Sequence, residues 1–178
     1  MKIIEKIISN FTNNKSLYIG ENVTIAEHMI QSAMIAEKSK SKNNLICSCL
    51  LHDYGHFIVD DPDELVRNSK DGKHEDIGYE YLKNFFKKDI VEPIKHHVMA
   101  KRYLAREKKY YSKLSEASKL SLKLQGGVLN NKEALIFEKD EFFKDSIKLR
   151  KFDEAAKKIG VKIKNISEYK NLLESSLI

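Results

Sequence analysis

The stretch NNLICSCLLHDYGH, residues 43 to 56, sets the tightest constraint on the fold. Asparagines open it as caps, a nearly wholly apolar run follows, and Gly55 breaks it. A helix that is apolar on all sides has to be enclosed by other elements. This one ends in His52 and Asp53, with His56 four residues after His52. An aspartate buried there without a partner is costly, and a cation would compensate it; alternatively, Asp53 caps the next turn. Strand-like alternation is scarce elsewhere, and two prolines and seven glycines in 178 residues leave few breaks. The expectation is an all-α chain forming one domain around a single core.

The pattern predicts a helix over residues 2–12, then a loop in NNKSLYIGEN. TIAEHMIQSAMIAEKSK is the next helix, capped by Thr24 with Glu27 three residues on. DPDELVRNS reads as a short helix begun by Pro62. KHEDIGYEYLKNFFKK and VEPIKHHVMAKRYLARE are amphipathic, and Pro93 is tolerable only in the first turn of the second. SEASKLSLKLQGG ends in a glycine pair suited to a C-terminal cap. NKEALIFEK, EFFKDSIKLRKFDEAAKKIG and ISEYKNLLESS complete the set, with the helix over 165–176 expected to be peripheral.

A net charge of +6 could attract a small anion, but it is not the dense basic stripe of a nucleic-acid binder. FFKKD and REKKYYSK read as solvated faces. The longest apolar run is far short of a membrane span, and MKIIEKIISNF carries charges a secretory signal would lack. Cys47 and Cys49 would point to different helix faces, which argues against a disulfide or a thiolate site. A cytoplasmic protein without membrane or nucleic-acid partners is expected.

All six histidines fall between residues 28 and 97, on four predicted segments. Histidine is the commonest metal ligand, carboxylates complete hard N/O sites, and a bundle core can host one. Each also has a plainer reading. His28 could be a satisfied core histidine and His56 a polar loop residue. His74 opens HEDIG, where Gly78 rules out the H-E-x-x-H motif, and the acids after it suit a helix dipole. His97 lies between the buried positions Ile94 and Val98 by helical angle, with Lys101 on its face, while His96 points towards Met99 and Tyr103. Arg150 and Asp153, three apart, form an ordinary helix ion pair in isolation.

Together, His28, His52–Asp53 and Asp153 resemble the H…HD…D metal set of the HD-domain superfamily. YIGENVTIAEH, KHEDIG, IKHHVMAKRYL, LSEASKLSLKLQGG and LRKFDEAAK further resemble its mixed-valent diiron oxygenases, which break carbon–phosphorus bonds; the resemblance covers residues 18–157. It implies a helical bundle holding two irons, Fe(II)/Fe(III), with dioxygen as co-substrate. One iron would take His28, His52, Asp53 and Asp153, the other His74 and His97, with Asp53 bridging. Lys101, Ser118, Ser121, Gln125 and Arg150 would bind a phosphonate, with His56 near the substrate hydroxyl. Catalytic roles would fall to His56 and Lys101. Tyr18 and Glu21 match a loop that would cover the second metal in the absence of substrate, and Glu21 could hold a substrate ammonium. The implied reaction converts an α-hydroxyphosphonate to phosphate and a carboxylic acid, giving glycine from 2-amino-1-hydroxyethylphosphonate. An upstream α-hydroxylase could supply that substrate. The competing readings are an HD phosphohydrolase of nucleotides or phosphate esters and a metal-free, non-enzymatic regulatory or nucleic-acid-binding helical domain.

Overall fold

The computed structural model describes residues 2–18, 22–58 and 72–178. The segment DPDELVRNS, and Glu21, lie outside the described residues. Everything regular in the described part is helical, apart from two isolated bridges, Leu17 with Thr24 and Phe86 with Leu177.

Helix α3 (Asn43–Leu51) is the hub. Leu45 through Leu51 are all buried, as the apolar run requires. Around it pack α2 (Ile25–Lys38), α5 (Lys88–Leu104), α9 (Phe143–Ala155) and α10 (Lys170–Ser175). Thr24 caps α2 in a full capping box with Glu27, and the face it buries runs through His28, Met29, Ser32, Ala33 and Ala36. Small residues at Ser32, Ala33 and Ala36 let α3 come close. Ser48 ties α3 to α5, its hydroxyl donating to the Ile90 carbonyl at 2.8 Å.

Three local expectations change. Helix α5 begins at Lys88, three residues earlier than its sequence pattern implies, so Pro93 lies in the second turn. Proline has no N–H, so the Asp89 carbonyl loses its helical partner there. The helix that opens at His74, α4 (His74–Leu82), stops before the aromatic pair, and Phe86 turns into the core beside Leu177. The C-terminal segment is more than peripheral. Ile166 and Tyr169, on a short 3-10 turn (Ile166–Tyr169), and Leu173 of α10 join the main apolar core with Ile4, Ile7 and Phe11 of α1 (Ile3–Asn13).

A 3-10 turn (Tyr54–Phe57) follows α3 and crosses the start of α4 backbone to backbone. A methyl group added at Gly55 would lie 2.0 Å from the His74 carbonyl oxygen, and one at Gly78 would lie 3.1 Å from the Gly55 nitrogen. The glycines are therefore needed for close approach. Three shorter helices, α6 (Lys108–Tyr111), α7 (Glu116–Leu124) and α8 (Asn131–Phe137), lie between α5 and α9 in the chain. Gly126 and Gly127 adopt positive φ after α7, as the glycine-pair cap predicts. Among the described residues no helix is long and apolar enough to cross a membrane.

Candidate metal centre

Four helices and one helix end converge on the carboxylate of Asp53. His28 comes from α2, His52 and Asp53 from the end of α3, His74 from the first residue of α4, His97 from α5 and Asp153 from α9. All are buried except His74, which is nearly so.

The two oxygens of Asp53 face different partners. Oδ2 lies 3.5 Å from His28 Nε2 and 3.3 Å from His52 Nε2, and these two nitrogens are 3.1 Å apart. Asp153 Oδ1 closes this group, 3.2 Å from His28 Nε2 and 3.8 Å from His52 Nε2. Oδ1 of Asp53 lies 3.2 Å from His74 Nε2 and 3.4 Å from His97 Nε2, again with the nitrogens 3.1 Å apart.

Backbone carbonyls set the tautomers. The Nδ1 of His28 bonds the Ala156 carbonyl at 3.0 Å, that of His52 the Cys49 carbonyl at 2.9 Å, and that of His97 the Ile94 carbonyl at 2.6 Å. A carbonyl can only accept, so each Nδ1 carries the proton and each Nε2 presents a lone pair inward. Two lone pairs facing each other at this distance, beside carboxylate oxygens, call for a positive charge between them. Asp53 Oδ2 and Asp153 Oδ1 are buried with no hydrogen-bond partner. His28, His52 and Asp53 form one group able to hold a metal ion, and Asp53, His74 and His97 another. These nitrogen and oxygen donors, without thiolate, fit borderline divalent ions such as iron or manganese.

With only protons available, charge is balanced less well. Burial disfavours protonation of His52, yet Asp53 and Asp153 bring it up to about 9. Burial also opposes ionisation of Asp53, but His52 and bonds from His74 and His97 hold it well below the usual carboxylate range. Burial and the neighbouring His74 push His56 down to about 3, so it is neutral; its ring stacks on that of His74 with centroids 4.3 Å apart.

A polar cluster adjoins the centre. Lys101 Nζ donates to Ser121 Oγ at 2.6 Å and to Gln125 Oε1 at 2.9 Å. Burial, then the charge of Arg150, push this ammonium down to about 7. Arg150, itself buried, pairs with Asp153 and Glu154 and donates from Nε to the Tyr110 hydroxyl at 3.0 Å. Ser118 Oγ sits 2.6 Å from Lys157 Nζ.

Several expectations are corrected here. Tyr18 lies over His28, centroids 4.3 Å apart, on the side of the His28–His52–Asp153 group rather than beside His74 and His97. His96 shares its face of α5 with Tyr103, and both rings meet Phe137; His96 Nδ1 lies 3.6 Å from Asp140, so α8 and the turn after it cover that face. Within REKKYYSK, read as a solvated face, Tyr110 points inward to Arg150. Sequence reasoning missed Tyr110, Glu154 and Lys157. Only Glu154 left a usable signal, four residues after Arg150 on one helix face.

Comparison with known proteins agrees with this geometry. The HD domain family matches residues 25–140. A [1-hydroxy-2-(trimethylamino)ethyl]phosphonate dioxygenase (glycine-betaine-forming) from Leisingera caerulea is 44% identical over 142 residues, covering 79% of this chain and 72% of its own. A hydroxymethylphosphonate dioxygenase from Gimesia maris is 40% identical over 162 residues, covering 90% and 81%. An uncharacterized protein, L432, of Acanthamoeba polyphaga mimivirus is 38% identical over 181 residues, covering 96% and 83%. The fold and centre thus define an HD-domain protein. Within that class, the chain belongs to the HD-domain phosphonate dioxygenase family.

Proposed function

We propose that this chain cleaves the C–P bond of a small α-hydroxyphosphonate with dioxygen, at two irons held by His28, His52, Asp53 and Asp153 on one side and Asp53, His74 and His97 on the other. The observation that carries the reading is the division of Asp53 between two imidazole pairs, each with nitrogens 3.1 Å apart, next to the Lys101–Ser121–Gln125 cluster. A shared carboxylate keeps two cations close while offsetting part of their repulsion. Among the described residues, His74, His97 and Asp53 would give the second ion three protein donors, which leaves room for small molecules. Bound as a mixed-valent Fe(II)/Fe(III) pair, the irons would supply dioxygen and one-electron chemistry.

The protein's own residues do the rest. Arg150 and Lys101 meet the phosphonate charge, and Ser118, Ser121 and Gln125 supply hydroxyls and an amide to its oxygens. His56, neutral and stacked on His74, is available to the substrate hydroxyl as hydrogen-bond donor or acceptor. The balance is one dioxygen per phosphate released, with C1 ending as a carboxyl carbon. The substrate we favour is 2-amino-1-hydroxyethylphosphonate, giving glycine and phosphate, supplied in the cytoplasm by an enzyme that hydroxylates the parent phosphonate. The two named relatives act on a trimethylated and a hydroxymethyl analogue. The test is oxygen uptake and phosphate release by iron-loaded enzyme with all three hydroxyphosphonates and with nucleotide and sugar phosphate esters. Equal uptake and release with one hydroxyphosphonate is expected. Release from an ester without oxygen would mean a phosphohydrolase instead.

A further inference from the structure

Three of the side chains beside the metal centre converge on a single oxygen. Glu154 Oε2 pairs with an Arg150 guanidinium nitrogen, lies 3.4 Å from Ser118 Oγ and lies 3.5 Å from Lys157 Nζ. A guanidinium, a hydroxyl and an ammonium around one anionic oxygen are what a phosphonate oxygen would also seek. Resting on the function proposed above, we infer that Glu154 is a resident anion occupying part of the phosphonate subsite, and that Lys157 is a further phosphonate-binding side chain.

The arrangement lets the anion leave while the donors stay. Arg150 is 3% exposed and its Nε is fixed by Tyr110, whereas the Glu154 side chain is 18% exposed and has water to turn into. Lys157 faces the metal side, its Nζ 5.6 Å from the centre of the Tyr18 ring that stacks on His28. Without Glu154, Arg150 and Lys157 would repel each other across Ser118. With it, both are held around one anionic oxygen, and an incoming dianion has to displace that carboxylate to bind. Glu154 thus positions the subsite and at the same time weakens anion binding.

The probe is inorganic phosphate, titrated calorimetrically into anaerobic metal-loaded enzyme as wild type, Glu154→Gln and Lys157→Met. Glu154→Gln should bind phosphate about tenfold more tightly and Lys157→Met about tenfold more weakly, each the size of one charge-assisted hydrogen bond. Loss of a merely structural role would loosen the subsite and weaken binding in both variants, so the opposite signs are the diagnostic. Unchanged or weaker binding by Glu154→Gln, or unchanged binding by Lys157→Met, overturns the assignment; if one variant does not fold, the other decides. Normal hydroxyphosphonate turnover without these shifts would sink this inference alone. The shifts without any oxygen uptake would sink the proposed reaction and leave the anion subsite standing.

Discussion

Gly55→Ala should separate the two halves of the metal centre. The added methyl would sit 2.0 Å from the His74 carbonyl oxygen, 2.8 Å from its carbon and 3.0 Å from the Gly78 nitrogen, all of them backbone atoms. Ordinary contact begins at 3.4 Å, so the 3-10 turn and the start of α4 have to part by about 1.4 Å. His74 is the first residue of α4 and moves with it. A metal–nitrogen bond of ~2.1 Å tolerates only ~0.2 Å of error, so His74 would drop out of the ligand set. His28, His52 and Asp153 come from other helices and keep their places. The expected result is about one metal ion per chain instead of two, with oxygen uptake down ~100-fold or more and ~1–3 kcal/mol of stability lost to overpacking. Metal content after desalting, an oxygen electrode and the far-ultraviolet circular dichroism of the variant read these out. Gly78→Ala, whose methyl would meet the Gly55 nitrogen at 3.1 Å, asks for a shift of only a few tenths of an ångström and should be milder. Two ions per chain and near-normal uptake in Gly55→Ala would refute the reasoning.

Asp53→Asn leaves one neutral carbonyl oxygen and no negative charge for the two imidazole pairs; metal analysis should find at most one ion and the oxygen electrode no uptake. Adding a divalent ion to chelated protein should raise Tm by roughly 5–10 °C at a hundredfold excess over its Kd, because only the folded chain assembles the donors. Lys101, pushed down to about 7, is protonated below that pH and neutral above it. The Kd of phosphonate should therefore be flat below pH 7 and rise above it by up to about tenfold per unit, a slope that Lys101→Met abolishes. The same depression, from 10.5 in the unfolded chain, means that Lys101 opposes folding most below pH 7 and that this penalty fades as pH rises from 7 towards 10.5.

The sequence declared the centre through a mismatch of types. His52 and Asp53 end a helix with no polar face, and a buried aspartate is costly unless a cation or hydrogen-bond donors compensate it. Thr24 and Glu27 announced their capping box for an equally local reason. The unreadable parts depend on backbone or on distant chain. The carbonyls of Cys49, Ile94 and Ala156 that orient three imidazoles carry no residue code, since every amino acid supplies one. Gly55 looked like the helix breaker, but α3 already ends at Leu51 and Gly55 lies within the following 3-10 turn; its closeness to His74 appears only when α4 is laid across it. Tyr110 sits among lysines that are solvated, and nothing local says that its hydroxyl alone turns in to Arg150.

Adjacent carboxylates on α9 go to different tasks, and Arg150 joins them. Asp153 faces His28 and His52, while Glu154 faces Ser118 and Lys157. The Arg150 guanidinium grips both from one turn earlier, with Tyr110 behind it. An ion bound at the first group would draw Asp153 towards itself and loosen its hold on Arg150. The freed donors would then favour an incoming phosphonate, and by linkage a bound phosphonate would favour the ion equally. The pair that reads as an ordinary helix salt bridge in sequence would thus be one covalent stretch of chain linking metal occupancy to anion binding, as His97 and Lys101 would be on α5, and its burial would limit screening of that exchange by water.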